Sequence, residues 1–421
     1  MRTSKSLALA LALVALIGAS GAWAAPTKVQ FWHIGTAATD KAYYQGVVDA
    51  YMKAHPDVVI EMTILENEAF KSKLTTVMQS GNPPDVFISW GGGVLAEYAK
   101  AGLLKDISKA VKGTAWGNSM AAGVWQVYQY QGKQYGAPND MGAITFWYNK
   151  ELLAKVGYKT FPTDWDDFLN LVKKLKAAGI TPIALGGGDK WPAMYYFMYL
   201  SARLGGGELF DGTFSGKNAK GFEDPTFAKA GQMIADLAAL KPFQEGFLGA
   251  TYNDEAALVG NGQAAMELMG QWAPNVQKDS STSKTGLGDK LGCASFPAVK
   301  GGKGKVTDAC GGGGGFAVGK NAPDAAVDFV RFLTNKENDA KYAEVAGIIP
   351  TVKGAEYGIK DPNGKLVKAI VDKAGFFQLY LDQFLSPAAG GAVNDQVQAI
   401  LAGTATPAQA CAAIQAAFAA K

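Results

Sequence analysis

The sequence predicts an α/β protein built from two units that face each other across a cleft. Three observations predict it. Strands and helices alternate from Lys28 to Lys100, and the alternation resumes from Thr163 to Leu185. No Pro/Ser-rich spacer separates the two stretches, and the glycine-rich runs sit beside strands, so several crossings rather than one linker join the units. With 421 residues, 48% of them hydrophobic, the chain has apolar material for more than one core.

Lys28 to His33 reads as the first strand. Asp40 to Lys53 follows as a helix, because Tyr44, Val47, Val48, Tyr51 and Met52 fall on one face. Val58 to Leu65 is the second strand, and Ala69 to Gln79 a helix facing inward through Phe70, Leu74, Val77 and Met78. Asp85 to Trp90 and Val94 to Lys100 complete a third strand and helix, an order that argues a parallel sheet. Thr163 is expected to cap a helix carrying Trp165, Phe168, Leu169, Val172 and Leu175 and ending near Gly179. Ile180 to Leu185 is an apolar strand before Gly186-Gly187-Gly188. Cys293 to Phe296 and Gly315 to Gly319 read as strands around a long loop, and the last hundred residues as Ala-rich helices.

The first residues read as an address. Arg2 and Lys5 precede the apolar run Leu7 to Ala19, and Ala22-Trp23-Ala24 is a small-residue cleavage pattern. A secretory signal peptide over residues 1–24 is expected, with the mature chain freely soluble in the periplasm. The alternative, an uncleaved anchor, conflicts with a run of 13 residues where a span needs about 20. Removing Arg2 and Lys5 from the 40 basic residues leaves 38 against 37 acidic ones, so nothing favours nucleic acid as a partner. In an oxidising compartment Cys293 and Cys310, flanking a Gly/Lys-rich stretch that reads as a hairpin, are expected to be able to pair. Cys411 shares a face with Ile414 and Phe418 in a helix capped by Thr406 and opened by Pro407, which suits a buried inert thiol.

In open α/β sheets ligands sit at the carboxyl ends of strands. The first strand ends at Trp32-His33, the second at Glu66-Asn67-Glu68 and the third at Trp90-Gly91-Gly92-Gly93. Asp140 follows Pro138-Asn139 at an expected crossing, Trp191 follows a strand of the second unit, and Trp272 follows Gly270-Gln271. Gly311 to Gly315, with Gly313 and Gly314 at its centre, precedes another strand. Trp stacks on the apolar face of a sugar ring, carboxylates and amides take its hydroxyls, and glycine lets backbone come close. Each of these residues also has a structural alternative: a lone Trp is more often core than platform, His33 could serve a loop, and Glu66 and Glu68 could favour a helix start.

Signs of catalysis and of metals are weak. No G-x-S-x-G, H-E-x-x-H, G-x-x-x-x-G-K-[ST] or strand-borne G-x-G-x-x-G occurs, and two histidines, His33 and His55, cannot build a His-rich metal site. No metal or cofactor is expected. A glycoside hydrolase stays open as the enzymatic alternative, since its two carboxylates need no sequence spacing. A binding protein for a non-sugar solute also stays open. An anionic solute would want arginine at strand ends, and Arg203 and Arg331 are the mature chain's only arginines.

Several stretches in a fixed order carry a family resemblance: Val29-Gln30-Phe31-Trp32-His33, Pro83-Pro84-Asp85-Val86, Phe146-Trp147-Tyr148-Asn149-Lys150, Phe161 to Phe168, Asn261-Gly262-Gln263-Ala264-Ala265-Met266 with Gly270 and Trp272, Gly315 to Val318, and Ile349-Pro350-Thr351. With these the sequence resembles the family 1 extracellular solute-binding proteins of ABC importers, the maltose-binding-like group that carries carbohydrates. The resemblance implies a periplasmic-binding-protein-like fold of type II, with crossings near Pro138, Pro297 and Asn335. Lobe 1 would then be 25–137 plus 297–334, and lobe 2 would be 138–296 plus 335–421. It also implies hinge closure on a sugar and a membrane permease as partner; the scarce arginines favour a neutral solute, the Trp count a mono- or short oligosaccharide, and a monomer is expected. His33, Glu66, Asn67, Trp90, Asp140, Trp191 and Trp272 match places where family members line the cleft.

Overall fold

The computed structural model describes residues 25–420, so the signal-peptide reading of residues 1–24 lies outside it. The chain opens with Thr27–His33 (β1), Ala38–Ala54 (α1), Val58–Ile64 (β2), Asn67–Gln79 (α2), Val86–Ser89 (β3) and Gly92–Lys100 (α3), in the order the alternation predicts. β2, β1 and β3 pair in parallel. The carboxyl-terminal half of β1, Phe31 to His33, is buried on both faces, while Lys28 and Gln30 nearer its start are exposed. Val29 and Phe31 pack on Val47, Val48 and Phe329 on one side, and Trp32 packs with Phe70 and Leu74 on the other.

Gly136–Pro138 (β4) ends the first passage through this sheet. Gly142–Ala143 (β5) and Thr145–Asn149 (β6) then carry the chain to the second sheet. Trp165–Ala177 (α4), Thr181–Ile183 (β7), Trp191–Phe214 (α5), Tyr252–Gly260 (α6), Ala264–Met269 (β8), Ala273–Ser280 (α7) and Leu291–Ala294 (β9) build the second lobe on a sheet ordered β9-β6-β8-β7. Ala309–Gly312 (β10) leads to Gly315–Val318 (β11), which returns to the first sheet, whose order is β2-β1-β3-β11-β4. Asp324–Leu333 (α8) packs on that sheet, and Lys336–Ala346 (α9) packs beside α1, with Tyr342 stacked on Tyr43. Phe377–Leu379 (β12) forms a small third sheet with β10 and β5 between the lobes. Pro407–Ala419 (α10) closes the described chain. Its Thr406–Gln409 capping box follows the expected start, and Cys411 and Ile414 are buried as expected.

Two local expectations are corrected. Asp164, not Thr163, caps α4, accepting from the Asp167 N–H. Thr163 is drawn into extended pairing, where its carbonyl accepts from the Ala298 N–H. Cys293 and Cys310 are free thiols and do not close a hairpin. Cys293 lies in β9 opposite Trp147 and donates to Thr145 Oγ1 at 3.4 Å, whereas Cys310 lies in β10 opposite Gln378. The loop between them folds against α5 instead, because the Arg203 guanidinium binds the carbonyls of Phe296, Pro297, Val306 and Asp308.

Three stretches of chain meet between the lobes. The N–H groups of Asn139 and Asp140 donate to the Gly314 carbonyl at 3.0 and 3.1 Å, tying the 139–141 crossing to the 313–314 crossing. The Met141 N–H donates to the Ile349 carbonyl at 3.0 Å, tying in the third. No helix among the described residues is long and apolar enough to cross a membrane.

Candidate functional site

A cavity of about 560 Å³ opens between the lobes, with walls from both and a floor from the crossings. Its first-lobe wall comes from loops at the carboxyl ends of β1, β2 and β3, as the open-sheet rule requires. Glu66 and Asn67 start α2, and Trp90 follows β3. Trp90 is turned by Gly91, whose φ of +69° and close neighbour (a Cβ there would meet the Val127 carbonyl at 2.4 Å) admit only glycine.

The opposite wall is aromatic. Trp191 opens α5 and meets Tyr252 edge-on at 5.1 Å and Tyr195 at 5.6 Å. Tyr195 leads to Tyr380 at 5.8 Å, and Tyr380 to Trp272 at 6.3 Å. Asp189 secures the corner by accepting the Tyr252 N–H at 2.8 Å. Lys71 reaches across from α2: its ammonium lies 5.6 Å from the Trp90 ring centroid and 5.9 Å from that of Trp191, while Glu68 pairs with it at 2.9 Å.

Asp140 is the hub of the floor. The Ile349 N–H donates to one carboxylate oxygen at 2.9 Å and the Gln271 amide to the other. Burial pushes its carboxyl up to about 7, and these donors partly oppose the rise. Asp40 is likewise pushed up to about 7, by burial and then by Asp279. Asp339, buried on α9 behind the crossings, rises to about 8, chiefly through burial. Each of these three carboxyls binds a proton more tightly folded than unfolded. Their contribution therefore makes folding stability fall as pH rises from about 4 through about 7 to 8. Buried His33, lowered to about 4, acts oppositely and loses its contribution below its unfolded value. Three carboxyls outweigh one imidazole, so urea unfolding is expected to give a smaller free energy at pH 8 than at pH 5. Asp339→Asn should make that slope shallower, and an unchanged slope would contradict the assignment.

Glu66, Asn67, Trp90, Asp140, Trp191, Trp272, Gly313 and Gly314 all line the cavity. Trp32, His33 and Glu68 do not, and here the expectation is corrected. Trp32 and His33 still belong to β1, so their side chains point into the two cores: His33 is 0% exposed between Phe31 and Tyr44, its Nδ1 accepting the Gly35 N–H. The cavity begins one residue later, at Ile34 to Ala37. Glu68 turns to Lys71 and Asn67 instead. Asp40, Lys71, Asn139, Tyr195, Tyr252 and Tyr380 line the cavity without having been singled out in the sequence. Tyr195 had a legible signal, since it lies one helical turn beyond Trp191.

Several wall groups have no protein hydrogen-bond partner among the described residues: Asp40 Oδ1, Asn67 Oδ1, Asn139 Oδ1, Trp191 Nε1 and Tyr380 OH. Asn139 and Tyr380 are each only 4% exposed. Buried polar groups in native proteins are normally satisfied, so this ring of acceptors and donors suits a ligand rich in hydroxyls. The two floor glycines differ. A Cβ on Gly313 would stand 1.8 Å from the Asp140 carbonyl oxygen, whereas one on Gly314 would meet only Ile88, at 3.5 Å. Gly313→Ala is therefore expected to cost about 3 kcal/mol in urea unfolding, and Gly314→Ala under about 0.5 kcal/mol while adding a methyl to the cavity wall. Equal losses would contradict this geometry.

A sequence profile of the bacterial extracellular solute-binding proteins matches residues 35–340. The chain is 26% identical over 337 residues to the multiple sugar-binding protein of Streptococcus mutans, covering 78% of this chain and 76% of that one. It is 27% identical over 314 residues to the diacetylchitobiose-binding protein of Streptomyces coelicolor, covering 72% and 68%. Among solved structures, a chitin oligosaccharide binding protein aligns with a TM-score of 0.83 at 26% identity, covering 93% of this chain and 98% of that one. The matched stretch begins where the cavity begins and runs through both sheets into α9: the chain belongs to the bacterial extracellular solute-binding proteins.

Proposed function

We propose that this chain is the sugar-binding receptor of an ABC importer. It captures a neutral mono- or short oligosaccharide between its lobes and delivers it to a membrane permease. The observation that carries the reading is the pairing of an aromatic wall with unpartnered polar groups, because a sugar ring offers both an apolar face and a hydroxyl rim. Relatives named for sugars and chitin-derived oligosaccharides support it. An anionic solute fits less well. Arg203 is spent on carbonyls inside lobe 2, and Arg331 pairs with Asp328 on the surface. Of the carboxylates lining the cavity, Asp140 is ill placed for hydrolysis, because both its oxygens are already engaged. We further propose a monomer in the periplasm, exported by cleavage after Ala24. We take lobe 1 as 25–137 plus the return through β11 and α8. Lobe 2 takes the sheet β9-β6-β8-β7 together with residues 296–308, which the Arg203 and Ala298 contacts hold to it.

A thermal-shift screen of residues 25–421 tests the reading, using xylo-, chito- and malto-oligosaccharides with polyamines and phosphate esters as controls. A ligand at 100 times its Kd adds about 2.7 kcal/mol to stability. Stabilisation by one sugar class, with the sugar recovered intact, is expected. Cleavage of the sugar would move the reading to a hydrolase. Stabilisation by a control alone would end the carbohydrate assignment.

A further inference from the structure

We propose that Asp279 fastens the cleft shut, by capping the first helix of lobe 1 from lobe 2. Helix α1 begins behind Ala37, a residue whose side chain cannot cap, and none of its own side chains supplies the missing bond. Where side chains cap helices within their own segment, Asp164, Asp224, Thr251, Asn335 and Thr406 each accept an N–H of their own first turn, whereas α2, α3, α5, α7 and α8 have no side-chain cap of their own. At α1 the acceptor comes from the other lobe. The Ala38 N–H donates to Asp279 Oδ2 at 3.0 Å. One helical turn earlier on α7, the Asn275 amide reaches Thr39 Oγ1 at 3.4 Å and the Val345 carbonyl at 2.8 Å. A carboxylate thus meets the positive end of a 17-residue helix dipole, and it can do so only when the lobes touch.

The same contact links closure to protons. Asp40 stands one turn inside α1 with its Oδ1 unpartnered, and the arriving carboxylate is that of Asp279. The other groups facing Asp40 are Tyr342 from α9, Tyr44 from its own helix and, beyond Tyr44, Asp140 on the floor. None of these is a cation; on the Asp279 side, the Lys284 ammonium donates to the Asp279 main-chain carbonyl. His33, stacked on Tyr44, is held neutral by burial. Opening the cleft returns Asp40 and Asp279 to water and separates them, so the closed form holds the extra proton and is favoured as pH falls from 8 to 6.

This inference rests on the two-lobed receptor reading only for the closing motion, so its test needs no sugar. Nitroxides at Ala50→Cys on α1 and Lys229→Cys in lobe 2, both exposed positions, report the interlobe distance in the ligand-free chain carrying Cys293→Ser. The wild-type background should be more closed at pH 6 than at pH 8. Asp279→Ala should lower the closed-to-open ratio about five-fold, the usual loss on removing a cap, and weaken the pH response. Asp279→Asn, which caps equally well without charge, should restore closure with a weaker pH response, because burial of Asp40 remains while the opposing carboxylate is gone. Distances in Asp279→Ala that coincide with the parent, or an Asp279→Asn chain as open as Asp279→Ala, would overturn the proposal. If no sugar binds in the screen above, the receptor reading fails while this result stands.

Discussion

Arg203→Met is expected to cost the fold about 4 kcal/mol, the upper end of what one substitution takes. The side chain is 1% exposed and donates four times without meeting a carboxylate. Nε reaches the Pro297 carbonyl at 3.1 Å and Nη1 that of Asp308 at 2.8 Å. Nη2 reaches those of Phe296 at 2.9 Å and Val306 at 3.3 Å. The guanidinium also lies 5.2 Å from the Tyr199 ring centroid, and Tyr199 stacks on Phe296 at 4.7 Å with 3° between the planes. Methionine keeps the packing volume and removes every donor. Each carbonyl left unmet costs about 1–3 kcal/mol, and those near exposed Val306 recover water, which holds the total near 4. At about 2.1 cal/mol/K of unfolding entropy per residue, a chain of roughly 400 residues loses about 5 °C of melting temperature if both lobes unfold together. Arg203→Lys should rescue little, because one ammonium cannot serve a planar fork of carbonyls. Calorimetry on the three chains checks this, and a loss below about 1 kcal/mol would mean that the loop closes without its arginine.

Arg203 also explains where the sequence was illegible. Cys293 and Cys310 invited a hairpin because their loop is local, yet that loop is held by a residue about ninety positions earlier. The opposite case is β1 to α3, where each strand and helix carries its own period and its own stop, so local pattern and tertiary structure agree. Glu66, Asn67 and Trp90 line the cavity because they lie just beyond their strands. Trp32 and His33, the last two residues of β1, do not, because alternation still sends their side chains into the cores. Asp40, Tyr252 and Tyr380 gave no signal at all. They reach the cavity from helix starts and from the turn after β12, whose directions depend on how the lobes dock, and no local period encodes that. Asp140 was legible as a position, but its role as the hub of three crossings depends on Gly314, Gln271 and Ile349, each more than a hundred residues away.

Trp191→Ala is expected to weaken sugar binding about 100-fold while leaving the sugar class unchanged, a loss of about 2.7 kcal/mol typical of a central aromatic anchor. Trp191 opens α5 at the centre of the aromatic wall, held by Tyr195 and Tyr252, so its ring is fixed before a ligand arrives. Its Nε1–H has no protein partner among the described residues, so the same side chain offers a stacking face and a donor. Trp191→Phe separates them: it keeps the face, removes the donor, and should cost about ten-fold. Lys71 sets the competing term. Its ammonium rests between Trp90 and Trp191, and a sugar ring entering that slot gives up a contact worth about 1 kcal/mol at this partly buried site. The stacking gain exceeds that loss, and Glu68, already paired with Lys71, gives the displaced ammonium somewhere to stay. Lys71→Met should therefore change affinity by no more than a few-fold, far less than Trp191→Ala. Titration calorimetry with whichever sugar raises the melting temperature measures all three. Unchanged affinity in Trp191→Ala would assign the aromatic wall to the lobe 2 core and remove the stacking platform from the proposed function.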